Sequence, residues 1–70
     1  MNKYQYERYQ KIHDRIKLRG GRGATLDELM DLCEVSRSQL KNDIIYMRDA
    51  FDAPIKNDRK LKAYIYIEDF

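Results

Sequence analysis

Residues 35–48 read V-S-R-S-Q-L-K-N-D-I-I-Y-M-R, from Val35 to Arg48, and the reading of this stretch decides the fold. Ser36 is a good N-cap, and Gln39 stands three residues on, as in a capping box. Val35 precedes the cap and Leu40 follows at the fourth helical position, the spacing of a hydrophobic staple. Leu40, Ile44, Met47 and Phe51 recur at helical spacing, so one face is expected to be core. Ser38, Lys41, Asn42 and Ile45 fall on the other side, with Arg37 near the N-terminal end. A short polar, mildly basic face on an anchored helix supplies donors and acceptors of the kind that base edges and phosphates accept.

Upstream, Thr25-Leu26-Asp27-Glu28 has the T-x-x-E form of a capping box, and Leu26, Leu29, Met30 and Cys33 form one apolar stripe. Only Glu34 and Val35 separate this short helix from the cap at Ser36. Two capped amphipathic helices joined so tightly predict a helix-turn-helix. Before it, Asn2 and Gln5 can open a first helix, Tyr9, Ile12 and Ile16 give it a narrow apolar stripe, and Gly20 ends it. Gly20, Gly21 and Gly23 read as a connector, because no G-K-[ST] pattern follows that would make a phosphate loop.

Downstream the period changes. Pro54 stops any helix. Ile55 to Asn57 reads as a first strand, residues 58–62 as a polar, basic turn, and Ala63 to Ile67 as a second strand dense in β-formers. The expected fold is mostly α with a small β part. It is a single winged helix-turn-helix over residues 1–70, with helices at about 3–19, 26–33 and 37–51 and a two-stranded β-hairpin wing at about 55–67.

Seventy residues make one small domain. A single cysteine, Cys33, excludes an intramolecular disulfide and a multi-cysteine zinc site, and it reads as a small buried hydrophobe. No apolar N-terminal run indicates a signal peptide or a membrane span, so the expected location is the cytoplasm. Net charge is only +2, but its distribution is uneven. Residues 1–23 carry seven basic and two acidic side chains, residues 24–34 four acidic and none basic, residues 35–62 seven basic and four acidic, and residues 63–70 two acidic. Two basic segments flanking an acidic one predict a two-faced molecule, with Asp27, Glu28, Asp31 and Glu34 turned away from any phosphate.

Four stretches together resemble the N-terminal DNA-binding domain of WYL-domain transcriptional regulators, close to the DeoR-type helix-turn-helix. They are Ile12 to Ile16, Thr25 to Leu29, Val35-Ser36-Arg37 with Asp43-Ile44 and Met47-Arg48-Asp49, and Ala53-Pro54-Ile55 followed by Asp58-Arg59-Lys60 and Tyr64-Ile65-Tyr66. The resemblance covers nearly the whole chain. It implies a recognition helix in the major groove and a wing on the backbone or minor groove. By position it assigns DNA contact to Ser36, Arg37, Ser38, Gln39, Lys41 and Asn42, with Arg59 and Lys60 on the wing. Tyr46 and Lys62 join that candidate set, although Tyr46 can equally pack beside the wing.

Gln39 stands where the family often has Thr, Lys41-Asn42 where Arg-Arg is common, and Ala63 where glycine usually opens the second wing strand. The first two departures bear on base preference, because Asn prefers adenine where Arg prefers guanine. In the family a ligand-sensing WYL domain follows the wing and contributes to dimerisation. The resemblance therefore implies the reader of a transcriptional regulator, as one domain of a longer chain or as a stand-alone protein, a repressor by expectation and a homodimer in a full-length regulator.

The expected partner is double-stranded DNA, with no membrane, no cofactor, no metal and no small-molecule site in this chain. The alternative is a winged helix serving as a protein-interaction module, which the exposed positions expected for Ile45 and Tyr46 favour. An enzyme is not expected, since no nucleophile stands with a base and no metal set is present. His13 is read as a helix-surface or core-edge residue, and Tyr4 and Tyr6 as either wing-packing or homodimer contacts.

Overall fold

The computed structural model describes all 70 residues. Helix α1 (Lys3–Arg19) runs into a 3-10 turn (Gly20–Arg22), followed by α2 (Leu26–Cys33), α3 (Arg37–Phe51), and strands β1 (Ile55–Asp58) and β2 (Ala63–Tyr66). Three helices followed by a two-stranded antiparallel hairpin give the layout of a winged helix. The second strand is one residue shorter than the spacing predicts and the first one residue longer. No helix is long and apolar enough to cross a membrane.

The caps form largely as the spacing requires. Asn2 and Gln5 make a reciprocal capping box, each backbone N–H donating to the other side chain at 2.9 Å. Gly20 closes α1 at φ 56°. The Thr25 and Ser36 hydroxyls accept from the backbone N–H of Glu28 and Gln39, at 3.1 and 3.2 Å. In neither case does the fourth residue complete the expected box. Glu28 turns its carboxylate to Arg15 and Arg19 of α1, and Gln39 turns its amide to Asp43, because a charged or buried partner outbids a solvated backbone N–H. Between α2 and α3, Glu34 adopts the left-handed conformation at φ 55°. Val35 N–H then donates to Met30 carbonyl at 3.2 Å, a Schellman-type stop that makes the two-residue turn possible.

The core forms where the three helices meet the hairpin. Ile12 and Ile16 from α1, Leu29 from α2, and Leu40 and Ile44 from α3 are almost fully buried, each contributing about 1.5–3 kcal/mol. Tyr9, Cys33, Met47, Ala53, Ile55 and Tyr64 join them, and Leu26, Met30, Val35 and Tyr66 pack on the edge. Burial pushes the Cys33 thiol above its ordinary range, as expected for a small core residue. Phe51 departs from the expected stripe: it ends α3 where the helix leaves the core, and it is 40% exposed.

The glycine-rich connector is more than a loop. Ala24 and Tyr64 exchange backbone hydrogen bonds of 2.9 and 2.8 Å, so the segment before α2 adds a one-residue third strand to the hairpin. Arg48 Nε donates to the Ile55 carbonyl at 2.9 Å and ties the start of β1 to α3. A two-stranded hairpin is marginal alone, and these two ties supply its support.

Ion pairs join α1 to the other helices. Arg8 grips Asp43 of α3 with two hydrogen bonds of 2.8 and 3.1 Å, and Asp43 is 2% exposed. Glu28 of α2 accepts from Arg19 and from Arg15, the latter at 2.8 Å. The Arg19 hydrogen bond first, and then that of Arg15, hold the Glu28 carboxyl below its ordinary range, against a burial cost that works the other way. A lowered folded-state pKa contributes stability that is present above the unfolded value and lost as pH falls through the folded one. Glu28→Gln is therefore expected to be less stable than the parent at neutral pH and to converge on it below about pH 4.5, a difference readable in urea melts across pH 3–7 at about the 1 kcal/mol level expected of a part-exposed pair.

Candidate nucleic-acid interface

Helix α3 sits with α1 along one flank and the hairpin along the other. The α1 flank is set by the Arg8–Asp43 pair and by Tyr46, whose ring stacks on Tyr9 at 5.2 Å. The hairpin flank is set by Arg48 and Ile55. Between α3 and the hairpin lies an open cleft of about 320 Å³, and Arg37, Lys41, Asn57, Arg59, Lys62 and Tyr64 line it. A second hollow of about 190 Å³ adjoins it along α3 and shares Lys41, Asn57 and Tyr64, adding Ile45 and Arg48. No carboxylate lines either hollow.

The structure thus brings together four of the ten sequence-nominated residues, Arg37 and Lys41 from α3 and Arg59 and Lys62 from the hairpin turn. Ser38 and Asn42 are exposed on α3 next to them but do not line the cleft. Ser36 is committed to its cap. Gln39 is exposed, yet its amide donates to Asp43 at 2.9 Å, which leaves only part of its hydrogen-bonding capacity outward. Lys60 lies at the turn tip, where its backbone N–H donates to Asp58 Oδ1. Tyr46 is not part of the group. It stacks on Tyr9 and meets Phe51 edge-on, on the α1 side of α3. The choice the spacing left open is made by Tyr9, a residue 37 positions away that offers a ring face.

The hairpin turn is built to carry its cations. Asp58 Oδ1 accepts from the N–H groups of Lys60 and Leu61 at 2.9 and 3.0 Å, an Asx turn that fixes residues 58–61. Lys62 follows in the left-handed conformation at φ 55°, the position where the chain swings into β2. No glycine stands at Lys62 or Ala63, so the turn closes at the cost of one strained lysine, about 1 kcal/mol.

The charge pattern changes once contacts are known. The seven cations of residues 1–23 make the N-terminal segment the most basic by sequence, yet Lys3, Arg8, Arg15, Lys17 and Arg19 are all in ion pairs with carboxylates. None of the seven cations of residues 35–62 is in an ion pair. Lys11 and Arg22 are the other cations outside ion pairs, so seven of the nine unpaired cations lie on α3 and the hairpin. The acidic residues of α2 either neutralise α1, as Glu28 does, or stay exposed, as do Asp27, Asp31 and Glu34.

Sequence reading missed Asn57 and Tyr64. Both lie on strands, and register pairs them directly across the hairpin. Because strand side chains alternate, the face they share is that of Ile55 and Tyr66, the face turned to the helices. A polar Asn57 in that inward phase was the available signal.

The tyrosines outside the cleft resolve differently. His13 Nδ1 and the Tyr66 hydroxyl share a 2.8 Å hydrogen bond, and burial pushes the Tyr66 phenol up to about 12. Phe70 packs edge-on against His13 and stacks on Tyr66, drawing the end of the chain onto α1. Tyr4 and Tyr6 are 72% and 60% exposed, so neither packs against the hairpin. Comparison with protein-family models, with curated proteins and with solved structures finds no match to this chain.

Proposed function

We infer that the chain binds double-stranded DNA, with α3 in the major groove and the hairpin turn on the flanking backbone, as the reader of a transcriptional regulator. The observation that carries this reading is the segregation of charge. Ion pairs hold five of the six cations of α1, all but Lys11, whereas the seven of α3 and the hairpin have no carboxylate partner and four of them border one cleft. Cations left free on a helix that projects from its scaffold suit phosphate contact and major-groove readout. Arg37, Ser38, Lys41 and Asn42 are offered to the bases, and the Lys and Arg side chains of α3 and the hairpin, Lys41 among them, hold phosphates. The resemblance to WYL-domain regulators adds the expectation of a repressor that pairs through a further domain. One such module alone binds weakly, and a linked second copy multiplies affinity without new contacts.

Fluorescence anisotropy with a labelled mixed-sequence duplex tests the reading. Arg37→Ala is expected to weaken binding roughly tenfold, the scale of one lost base or phosphate contact, while Asp31→Ala on α2 leaves it unchanged or slightly tighter. Equal losses for the two variants would place the DNA on another face.

A second reading, a protein-interaction module, rests on exposed apolar surface. Ile45 is 51% exposed on α3, and Tyr6, Tyr9, Phe51 and Phe70 line an apolar hollow of about 260 Å³ beside α1. Salt separates the two. DNA affinity falls steeply with salt through counterion release, whereas burial of apolar surface does not.

A further inference from the structure

We propose that Lys41, Asn57 and the Tyr64 hydroxyl form a seat for one backbone phosphate of the bound DNA strand, where that strand passes between α3 and the hairpin. The proposal rests on the DNA-binding reading above and assigns two contact residues, Asn57 and Tyr64, that spacing and charge do not suggest.

Tyr64 is the first observation. Only 5% of the residue is exposed, and its ring belongs to the core cluster. Its hydroxyl makes no hydrogen bond within the chain, yet no buried side-chain polar atom is left without a partner. The hydroxyl therefore keeps some exposure of its own, and Tyr64 lines both hollows between α3 and the hairpin. A phenol buried but for an accessible hydroxyl, on a residue that lines a basic cleft, is a donor free for an acceptor.

Asn57 is the second. The backbone N–H and C=O of Tyr64 point to Ala24, so Asn57 and Tyr64 are a non-hydrogen-bonded pair, the kind in which side chains lie closest. The Asn57 side chain makes no hydrogen bond within the chain, and it borders the same two hollows. Lys41 completes the set from α3, again with no carboxylate partner and bordering both hollows.

The chemistry is one-sided. The Lys ammonium, the Asn amide and the phenol all offer N–H or O–H donors, and the residues around them add three more cations, Arg37, Arg59 and Lys62. An acceptor-only anion fits such a set, and a phosphodiester is the anion that DNA presents. The Ala24–Tyr64 bridge and the Arg48–Ile55 hydrogen bond hold the seat at fixed distance from α3. A strand caught there fixes the register of α3 in the groove, the positioning role that phosphate contacts play.

The test uses the full chain, a labelled mixed-sequence duplex and inorganic phosphate at matched ionic strength. Asn57→Ala and Tyr64→Phe are each expected to weaken duplex binding roughly tenfold, the loss of one hydrogen bond to a charged group. Both leave the slope of log affinity against log salt unchanged, because neither removes a charge. Lys41→Ala lowers that slope by about one. The side-chain amide signals of Asn57 shift on adding duplex. Asn57 is exposed, so its variant keeps the test independent of any folding defect in Tyr64→Phe. Parent-like binding by Asn57→Ala and Tyr64→Phe would overturn the seat while leaving α3 as the DNA face. Absence of duplex binding by the parent chain at low salt would overturn both. Saturable shifts of Asn57 with inorganic phosphate that duplex does not displace would make this a free-anion pocket and also overturn the proposal.

Discussion

Gly23→Ala is expected to leave the domain largely unfolded in mild urea. Two costs add at this position. Gly23 has φ 74° and ψ 167°, a region open essentially to glycine alone, costing about 1–3 kcal/mol for any other residue. A Cβ there would lie 2.8 Å from the Ala63 Cβ, 2.9 Å from the Ile65 Cγ2 and 2.9 Å from the Tyr64 carbonyl oxygen. Two of these neighbours are a rigid methyl and a backbone atom, so the clash cannot be relieved by a rotamer. Overpacking of this kind costs about 1–3 kcal/mol. Together they approach the roughly 4–10 kcal/mol available to a chain of this length.

The damage falls on the Ala24–Tyr64 bridge, and through it on the hairpin and its basic turn. Gly21→Ala is the control, since its φ is ordinary and nothing lies within 4 Å of the added methyl. Its urea midpoint should match the parent or rise slightly. A parent-like midpoint for Gly23→Ala would show that the connector does not pack against β2 as described.

Arg8→Ala is expected to cost about 3–5 kcal/mol, the scale for stranding one member of a buried ion pair. Asp43 is 2% exposed, and Arg8 is its only cationic partner. With Arg8 gone, the Gln39 amide is the one side-chain donor left to it. The double variant Arg8→Ala with Asp43→Ala should recover part of the loss, because the charge is then no longer stranded. Chemical denaturation of the four proteins closes the cycle, and a parent-like midpoint for Arg8→Ala contradicts the pairing.

The pair also has a consequence for function. Asp43 lies beside Asn42 on α3, so the grip of Arg8 fixes the rotation of α3 about its axis. That rotation sets Lys41 toward the hairpin and Tyr46 toward α1.

What was legible in the sequence follows interaction range. Caps and apolar stripes are local, so Ser36, Thr25, Asn2 and the helices they open could be read directly. The winged layout followed from the order of those elements and from the change of period after Phe51. Long-range choices were not legible. Asp43 looks like any helical carboxylate until Arg8, 35 residues earlier, is brought against it. Glu28 fits a capping box by spacing, and α1 takes it instead.

The bridge at Ala24 is one residue long and has no alternating pattern to reveal it. Net charge by segment misled for the same reason. The most basic stretch has five of its seven cations in ion pairs, and the charge left free on α3 and the hairpin stood out only once those pairs were known. Phe51 was misplaced and the packing of Tyr46 was left open, because both answer to the ring of Tyr9 rather than to the helical stripe.

The central claim, that α3 and the hairpin form the DNA-binding face, is tested most directly by an amide chemical-shift titration with a mixed-sequence duplex at low and moderate salt. The account predicts shifts concentrated in residues 36–45 and 56–62, fading as salt rises because the phosphate contacts are electrostatic. Shifts centred on residues 24–34, or no shifts at low salt, would contradict it.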